Sequence, residues 1–383
     1  MKIALLKENK NEYRVSLVPA DVKKLADNKH TVTFTKQIGI NAGFDDEQYI
    51  KAGAKLVKNN KTCINGADFV FKLSSLTPSE IKLIKQNQII ISFFNMSNHP
   101  KVLFNLLKNK NTSLALDAIN EEGLYPAVIP NEQIKGKFSV ILSTYYLSKF
   151  NKDSLGKFFS NVNYSQDATN FVIVHASYAG LEAARTALAI GSNVIMLENN
   201  DDLIKQVQED KGLVELAKLN HNHFKILKAS FNDLTKYIAN ADVLINTNSL
   251  PNSSTQKRIT IQMIQSMKKG TVYINLASDQ GPASDTEKKI ATINKPIYLS
   301  NGVIHFNIDN IPSLFSNTAS TITSNIISRY ILENIHNSND AWKVIENNDV
   351  LLKAVMTYGG NLTNPVVADT LHLEYKPIKG LIK

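Results

Sequence analysis

The strongest chemical signal in this chain is a loop at the mouth of a strand–helix–strand pattern, His175-Ala176-Ser177-Tyr178-Ala179-Gly180. A short apolar strand, Phe171-Val172-Ile173-Val174, leads into it. A helical pattern opens at Gly180 and runs through Ala183, Ala184, Ala187 and Leu188. Gly191-Ser192-Asn193 breaks that pattern, and a second apolar strand, Val194 to Leu197, ends at Glu198. An acid about 20 residues beyond a strand-to-helix turn is the layout of a dinucleotide-binding βαβ unit. In such a unit the helix N-terminus holds the pyrophosphate. The acid accepts from the ribose 2′-hydroxyl, which favours NAD over NADP.

The loop itself argues against the framework. Of the three glycines in G-x-G-x-x-G only the last, Gly180, is present. The first glycine makes the tight turn and the second lets the backbone approach the pyrophosphate. His175 and Ser177 stand in their places, and the bulky Tyr178 follows. A β-carbon at the second position pushes the pyrophosphate away from the helix. Gly180 is also what helix–strand packing alone requires. Glu198 has a plain reading too, as an acid at a strand end.

The elements around this loop alternate along the whole chain. Strands are expected at Lys2–Lys7, Thr31–Phe34, Asp68–Leu73, Ile89–Phe94 and Ser113–Asp117, with helices between them. Thr77-Pro78-Ser79-Glu80 is a capping box with proline in the first turn. A helix is expected over roughly Ile134–Lys149. After the βαβ unit, strands at Lys225–Lys228, Val243–Asn246 and Val272–Leu276 alternate with further helices. From about His305 the pattern reads helical, at Ser320–Leu332, Ala341–Asn347 and Asn361–Leu371. Strands separated by helices predict α/β architecture with doubly wound parallel sheets. At 383 residues there is room for two domains.

Composition narrows the function classes. The net charge is +9, but the lysines are dispersed and no block of five like charges occurs, so nucleic acid is not an expected partner. No run of 18 apolar residues predicts a membrane span, and the apolar start is too short for a signal peptide. A cytoplasmic protein is expected. Cys63 is the single cysteine, which excludes a disulfide framework. His221 and His223 lack partners at ligand spacing, so no metal is expected.

Several segments together resemble the family of alanine dehydrogenase and the soluble domain of nicotinamide-nucleotide transhydrogenase. Lys7-Glu8-Asn9-Lys10-Asn11-Glu12-Tyr13-Arg14-Val15-Ser16-Leu17-Val18-Pro19 is similar to the family's opening K-E-x-K-x-x-E-x-R-V-x-L-x-P. Ala52-Gly53-Ala54, Asp68 to Lys72, Ala241 to Ile245, Met267 to Val272, Ala277 to Gly281 and Asn310-Ile311-Pro312 follow in the family's order. The resemblance implies two Rossmann-like domains with a cleft between them. Residues 1–135 with 305–383 would form the substrate domain, and 136–304 an inserted dinucleotide-binding domain. It also implies a small amino-acid or 2-oxo-acid ligand, NAD as cofactor, and a homo-oligomer.

The family uses an arginine, a lysine, a histidine and an aspartate to hold the substrate carboxylate, stabilise developing charge and supply a proton. The arginine corresponds to Arg14, whose planar fork suits a carboxylate. Its other reading is a salt bridge with Glu8 or Glu12. The substrate-binding lysine is replaced by Ser74, while Lys72, on the same strand face, sits roughly 6.5–7 Å further back. The histidine is replaced by Asn95, which can hydrogen-bond a carbonyl but cannot deliver a proton. His99 is expected at a helix start. The aspartate corresponds to Asp279, readable equally as a turn residue before Gln280-Gly281. Beside a weaker reading, an enzyme of different chemistry in the same cleft without a dinucleotide, two main readings stand. One is a divergent relative whose activity is lost or strongly altered. The other is an active NAD-dependent amino-acid dehydrogenase with a changed substrate.

Overall fold

The computed structural model describes residues 1–383 except 163–166, 220–223, 230, 248–258, 279–280, 288–289, 336–337, 339 and 383. The chain divides into two compact units, Met1–Asn131 with Pro312–Lys383, and Glu132–Ile311.

The first unit is built on β1 (Lys2–Leu5), β2 (Thr31–Thr35), β3 (Lys55–Val57), β4 (Phe69–Phe71), β5 (Ile89–Ser92) and β6 (Thr112–Ala115). The second carries β7 (Asn170–Val174), β8 (Asn193–Glu198), β9 (Phe224–Lys228), β10 (Val243–Asn246), β11 (Val272–Asn275), β12 (Ile297–Ser300) and β13 (Val303–Phe306). The chain then returns to the first unit for β14 (Val355–Tyr358) and β15 (Asn361–Leu362).

The first sheet has the order β15-β14-β6-β5-β4-β1-β2-β3. Strand β1 pairs in parallel with both β2 and β4. The chain thus winds outward on one side of β1 and then on the other, so the β1/β4 junction is a topological switch point. Ligands in open α/β sheets bind outside the carboxyl ends of the strands at such points. The second sheet has the order β12-β13-β11-β10-β7-β8-β9, with its switch point at β7/β10. Both sheets are doubly wound as expected, and mixed at one edge. Strand β12 is antiparallel to β13, and β14 and β15 add an antiparallel hairpin beside β6.

That hairpin corrects the C-terminal expectation. Helices form at Ser316–Ile327, Ala341–Glu346 and Pro365–Leu371, but Asn361–Leu362 is strand. Gly359 and Gly360, both at positive φ, turn the chain between β14 and β15. The last helix starts only after Asn364, whose side chain caps Val367 N–H, with Pro365 in its first turn.

Alternation along the central strands fills both faces of each sheet. Ile3 and Leu5 join one core and Ala4 another; Phe171 and Ile173 face one side of the second sheet and Val172 and Val174 the other. The helix expected at Ile134–Lys149 spans Ile129–Leu147. At Gly136 a β-carbon would run into the carbonyl of Ala179, so that helix packs closely on the helix Tyr178–Ala189.

Candidate functional site

The loop after β1 brings Glu8, Glu12 and Arg14 to the switch point of the first sheet. Arg14 is buried, its side chain 8% exposed. Glu12 holds it side-on: Nε donates to Oε1 at 2.8 Å and Nη2 to Oε2 at 2.7 Å. Nη1 donates to Asn131 Oδ1 at 3.1 Å. The Phe93 ring lies 5.5 Å from the guanidinium carbon. A guanidinium has five N–H donors. Three are matched here, leaving one each on Nη1 and Nη2 without a partner among the described residues. Burial works against the charged arginine, but Glu12 and Glu8 more than offset it and hold its pKa above the ordinary value.

The loop after β4 supplies Ser74, but its main contact is Glu8. The Glu8 carboxylate accepts Leu73 N–H and Ser74 N–H, each at 2.7 Å, and the Ser74 hydroxyl at 2.6 Å. Ser74 Oγ also accepts Asn9 N–H at 3.1 Å. Burial first, and the neighbouring Glu12 second, push the Glu8 carboxyl up to about 7 against these hydrogen bonds. Lys72 reaches this cluster only through the Asn9 side chain. Its ammonium donates to Glu80 at 2.8 and 3.0 Å and to Asn9 Oδ1 at 2.9 Å, which uses all three of its donors. Glu80 in turn closes the capping box of the helix Pro78–Leu83, so Lys72 anchors that helix start.

Asn95 lies past the end of β5 in a left-handed conformation, φ 41°. Its Oδ1 accepts from Asn98 Nδ2 at 3.0 Å. Asp117, in the turn just past β6, accepts Phe94 N–H at 2.9 Å and Asn95 N–H at 3.1 Å. Burial raises the Asp117 carboxyl, with those N–H groups opposing. His99 stands immediately before the helix Pro100–Lys108.

In the second unit the loop after β7 is organised by an acid. His175 sits at φ 77°, where a β-carbon costs about 1–2 kcal/mol. Its Nδ1 lies 2.6 Å from Glu198 Oε2, which also accepts Ala176 N–H at 2.8 Å. Glu198 Oε1 accepts Asn199 N–H at 2.7 Å and Asn200 N–H at 3.0 Å. A carboxylate has about four lone-pair sites, and all four are filled. Burial raises the Glu198 pKa, but the N–H groups of Ala176, Asn200 and Asn199, with His175, outweigh it and leave the group below the usual range.

Ser177 has ordinary extended geometry, φ −70°, and caps the helix Tyr178–Ala189 by accepting Gly180 N–H at 3.2 Å. Tyr178 is the first helical residue and is partly exposed. At Gly180 a β-carbon would strike the carbonyl of His175 and reach Thr247 Oγ1 at 3.0 Å. Close helix–strand packing therefore forbids a side chain there.

Asp279 lies outside the described residues, as do His221, His223 and most of the Asn/Ser-rich loop beginning at Asn246. Among the described residues no group of three His, Cys, Asp or Glu could hold a metal. No described helix is long and apolar enough to cross a membrane.

Sequence reasoning did not anticipate Asn9, Asn131 or Asp117, nor the reach of Glu8 to Ser74. It also missed a buried polar row in the second unit. Asn246 Nδ2 donates to Asn275 Oδ1 at 3.0 Å; Asn275 and Asn307 donate to Glu287 Oε2 at 2.9 and 3.2 Å; Tyr273 donates to Oε1 at 2.5 Å. Nearby, burial pulls the fully enclosed His305 down to about 4, so it is neutral at pH 7. The available signal was asparagine at the carboxyl ends of otherwise apolar strands.

Residues 4–132 match the family model described as alanine dehydrogenase/PNT, N-terminal domain, and residues 139–365 its C-terminal domain. Alanine dehydrogenase 1 of Staphylococcus aureus strain MSSA476 is 31% identical over 386 residues, covering all of both chains. Among solved structures, an L-alanine dehydrogenase superposes with TM-score 0.83 at 24% identity, over 97% of this chain and 99% of that one. A transhydrogenase from Sinorhizobium meliloti superposes with TM-score 0.73 at 19% identity, over 96% and 100%.

Proposed function

This chain belongs to the alanine dehydrogenase/PNT family, and from that premise we propose that it binds a small amino or 2-oxo acid while the dehydrogenation typical of its relatives is lost or strongly altered. In this reading the first unit is the substrate domain and Arg14 receives the ligand's carboxylate. Its two remaining N–H donors support that role.

The observation that carries the altered chemistry is the saturation of Glu198. With four hydrogen bonds, two from the loop after β7 and two from the residues directly following it, it has no lone pair for a ribose hydroxyl. Ser177 takes one of the helix N-terminal donors that a pyrophosphate would use. NAD is the cofactor that kinship implies, and the described loop does not fit it in the usual way. Ser74 and Asn95 also leave the first unit without the lysine and histidine of the family. A missing general acid alone costs about 10²–10⁴-fold.

A second reading, an active NAD-dependent dehydrogenase with a changed substrate, draws on the Ser74–Glu8 pair that occupies the lysine's place. In either case we propose a cytoplasmic homo-oligomer. The test is turnover of L-alanine with NAD and NADP, and of pyruvate plus ammonium with NADH and NADPH, beside the S. aureus relative. We expect rates at least about 100-fold below the relative. Comparable turnover refutes the proposal.

A further inference from the structure

We infer that Glu8 and Ser74 form a proton-coupled binding device, in which a carboxylate ligand arriving at Arg14 puts a proton on Glu8 and turns the Ser74 hydroxyl towards the ligand. This rests on the reading of Arg14 as a carboxylate site and adds what the cluster does when the site fills.

Charge counting gives the first half. Glu8, Glu12 and Arg14 share the β1 loop, so two carboxylates already face one guanidinium. A ligand carboxylate is a third negative charge in a buried place. Like charges there cannot all remain ionised, so one carboxylate protonates. Glu12 is locked by three hydrogen bonds from Arg14, two from the guanidinium and one from the backbone N–H, whereas Glu8 is held only by neutral donors, Leu73 N–H, Ser74 N–H and the Ser74 hydroxyl. Among the described residues no other cation relieves it from the neighbouring strand ends. Lys72 beyond β4 is committed to Glu80 and Asn9, and Asp117 beyond β6 caps Phe94 and Asn95. Burial and Glu12 already hold the Glu8 carboxyl at about 7, so a modest added repulsion suffices near neutral pH.

Hydrogen-bond capacity gives the second half. A serine hydroxyl donates once and accepts twice. With Glu8 ionised, the Ser74 hydrogen points at Glu8 Oε2 and its oxygen accepts Asn9 N–H. With Glu8 protonated, the carboxyl O–H becomes the donor across the same 2.6 Å contact. Ser74 Oγ then accepts from both Glu8 and Asn9, and its own hydrogen is released. The ligand's 2-oxo oxygen is its natural acceptor. The proton comes from solvent, and no bond other than O–H is made or broken. Glu8 thus acts through Ser74 as a positioning residue.

The test is calorimetry of pyruvate and of propionate, which lacks the 2-oxo oxygen, at pH 8 in buffers of different ionisation enthalpy, with and without NADH. Wild-type protein should take up about half a proton or more per pyruvate, with affinity falling as pH rises further. Glu8→Gln should bind with no proton uptake and a flat pH profile. Ser74→Ala should weaken pyruvate several-fold more than propionate. If Glu8→Gln does not fold, isotope-edited infrared spectra of the wild type should show a protonated carboxyl band appearing when pyruvate is added. Binding without proton uptake, or without that band, overturns the inference and leaves the acid-binding role of Arg14 standing. Failure of both acids to bind under every condition overturns the Arg14 reading and the device together.

Discussion

Replacing Glu198 by glutamine separates a loop anchor from a ribose acceptor. Glutamine keeps one acceptor oxygen and turns the other into an NH₂ donor. The best arrangement leaves the oxygen on Asn199 and Asn200 N–H and points the NH₂ at Ala176 N–H and His175 Nδ1. His175 can adapt by switching tautomer, but the Ala176 N–H cannot. One hydrogen bond to a charged acceptor is lost, at about 1.5–3 kcal/mol, and the survivors lose their charge assistance. Together these give about 2–4 kcal/mol of local destabilisation. At 1.4 kcal/mol per tenfold, amide exchange at Ala176 should accelerate about 30- to 700-fold. The effect has a pH signature. The folded pKa of Glu198 lies below its ordinary 4.5, so its stabilisation is intact above about pH 4.5 and is lost as pH falls through the folded value. The same variant should leave the ratio of NADH to NADPH affinity unchanged. Exchange at Ala176 within about threefold of wild type, or a selective loss of NADH affinity, would show that Glu198 faces a ligand instead.

Other consequences are equally open to measurement. Lys72→Met leaves buried Glu80 without its cation and should cost about 3–5 kcal/mol in urea unfolding, while Lys72→Met/Glu80→Gln should recover much of it in a double-mutant cycle. Gly180→Ala should cost about 1–3 kcal/mol, because its β-carbon meets the His175 carbonyl; thermal melting checks this. Fully buried His305 has its pKa lowered to about 4, so the unfolded chain binds more protons between pH 4 and 6.5 and stability rises with pH there. That slope, worth up to roughly 3 kcal/mol, should flatten in His305→Gln. Ser74→Lys/Asn95→His should raise pyruvate-dependent NADH oxidation by about 100-fold or more if the missing groups in the first unit limit turnover. No gain would place the limit in the His175 loop.

The fold was legible because apolar strands, capping boxes and glycine breaks agree with one another over long stretches. The hairpin of Val355–Tyr358 and Asn361–Leu362 was not, since strands of four and two residues carry too little periodicity to outweigh a neighbouring helical pattern. For the site, sequence could name Arg14 together with its salt-bridge partner Glu12, but Ser74, Asn95, His175 and Glu198 only without their partners. That Glu198 folds back on the loop of His175, itself at positive φ, is a tertiary outcome invisible in spacing. Lys72 is similar: strand alternation says which side it leaves from, and only the position of Glu80, eight residues on, decides where its ammonium goes. Glu8 was passed over as part of an opening motif because its link to Ser74 crosses 66 residues of sequence.

The most direct test of the remodelled nucleotide loop is calorimetric titration of the purified protein with NADH and NADPH, with thermal shift as a second readout. A Glu198 committed to its own loop predicts no micromolar binding of either cofactor and no rise in melting temperature. A cofactor at 100 times its dissociation constant would stabilise the protein by about 2.7 kcal/mol, an effect that melting would register. Micromolar NADH binding with that stabilisation would contradict the claim and restore the chain to the ordinary dehydrogenases of its family.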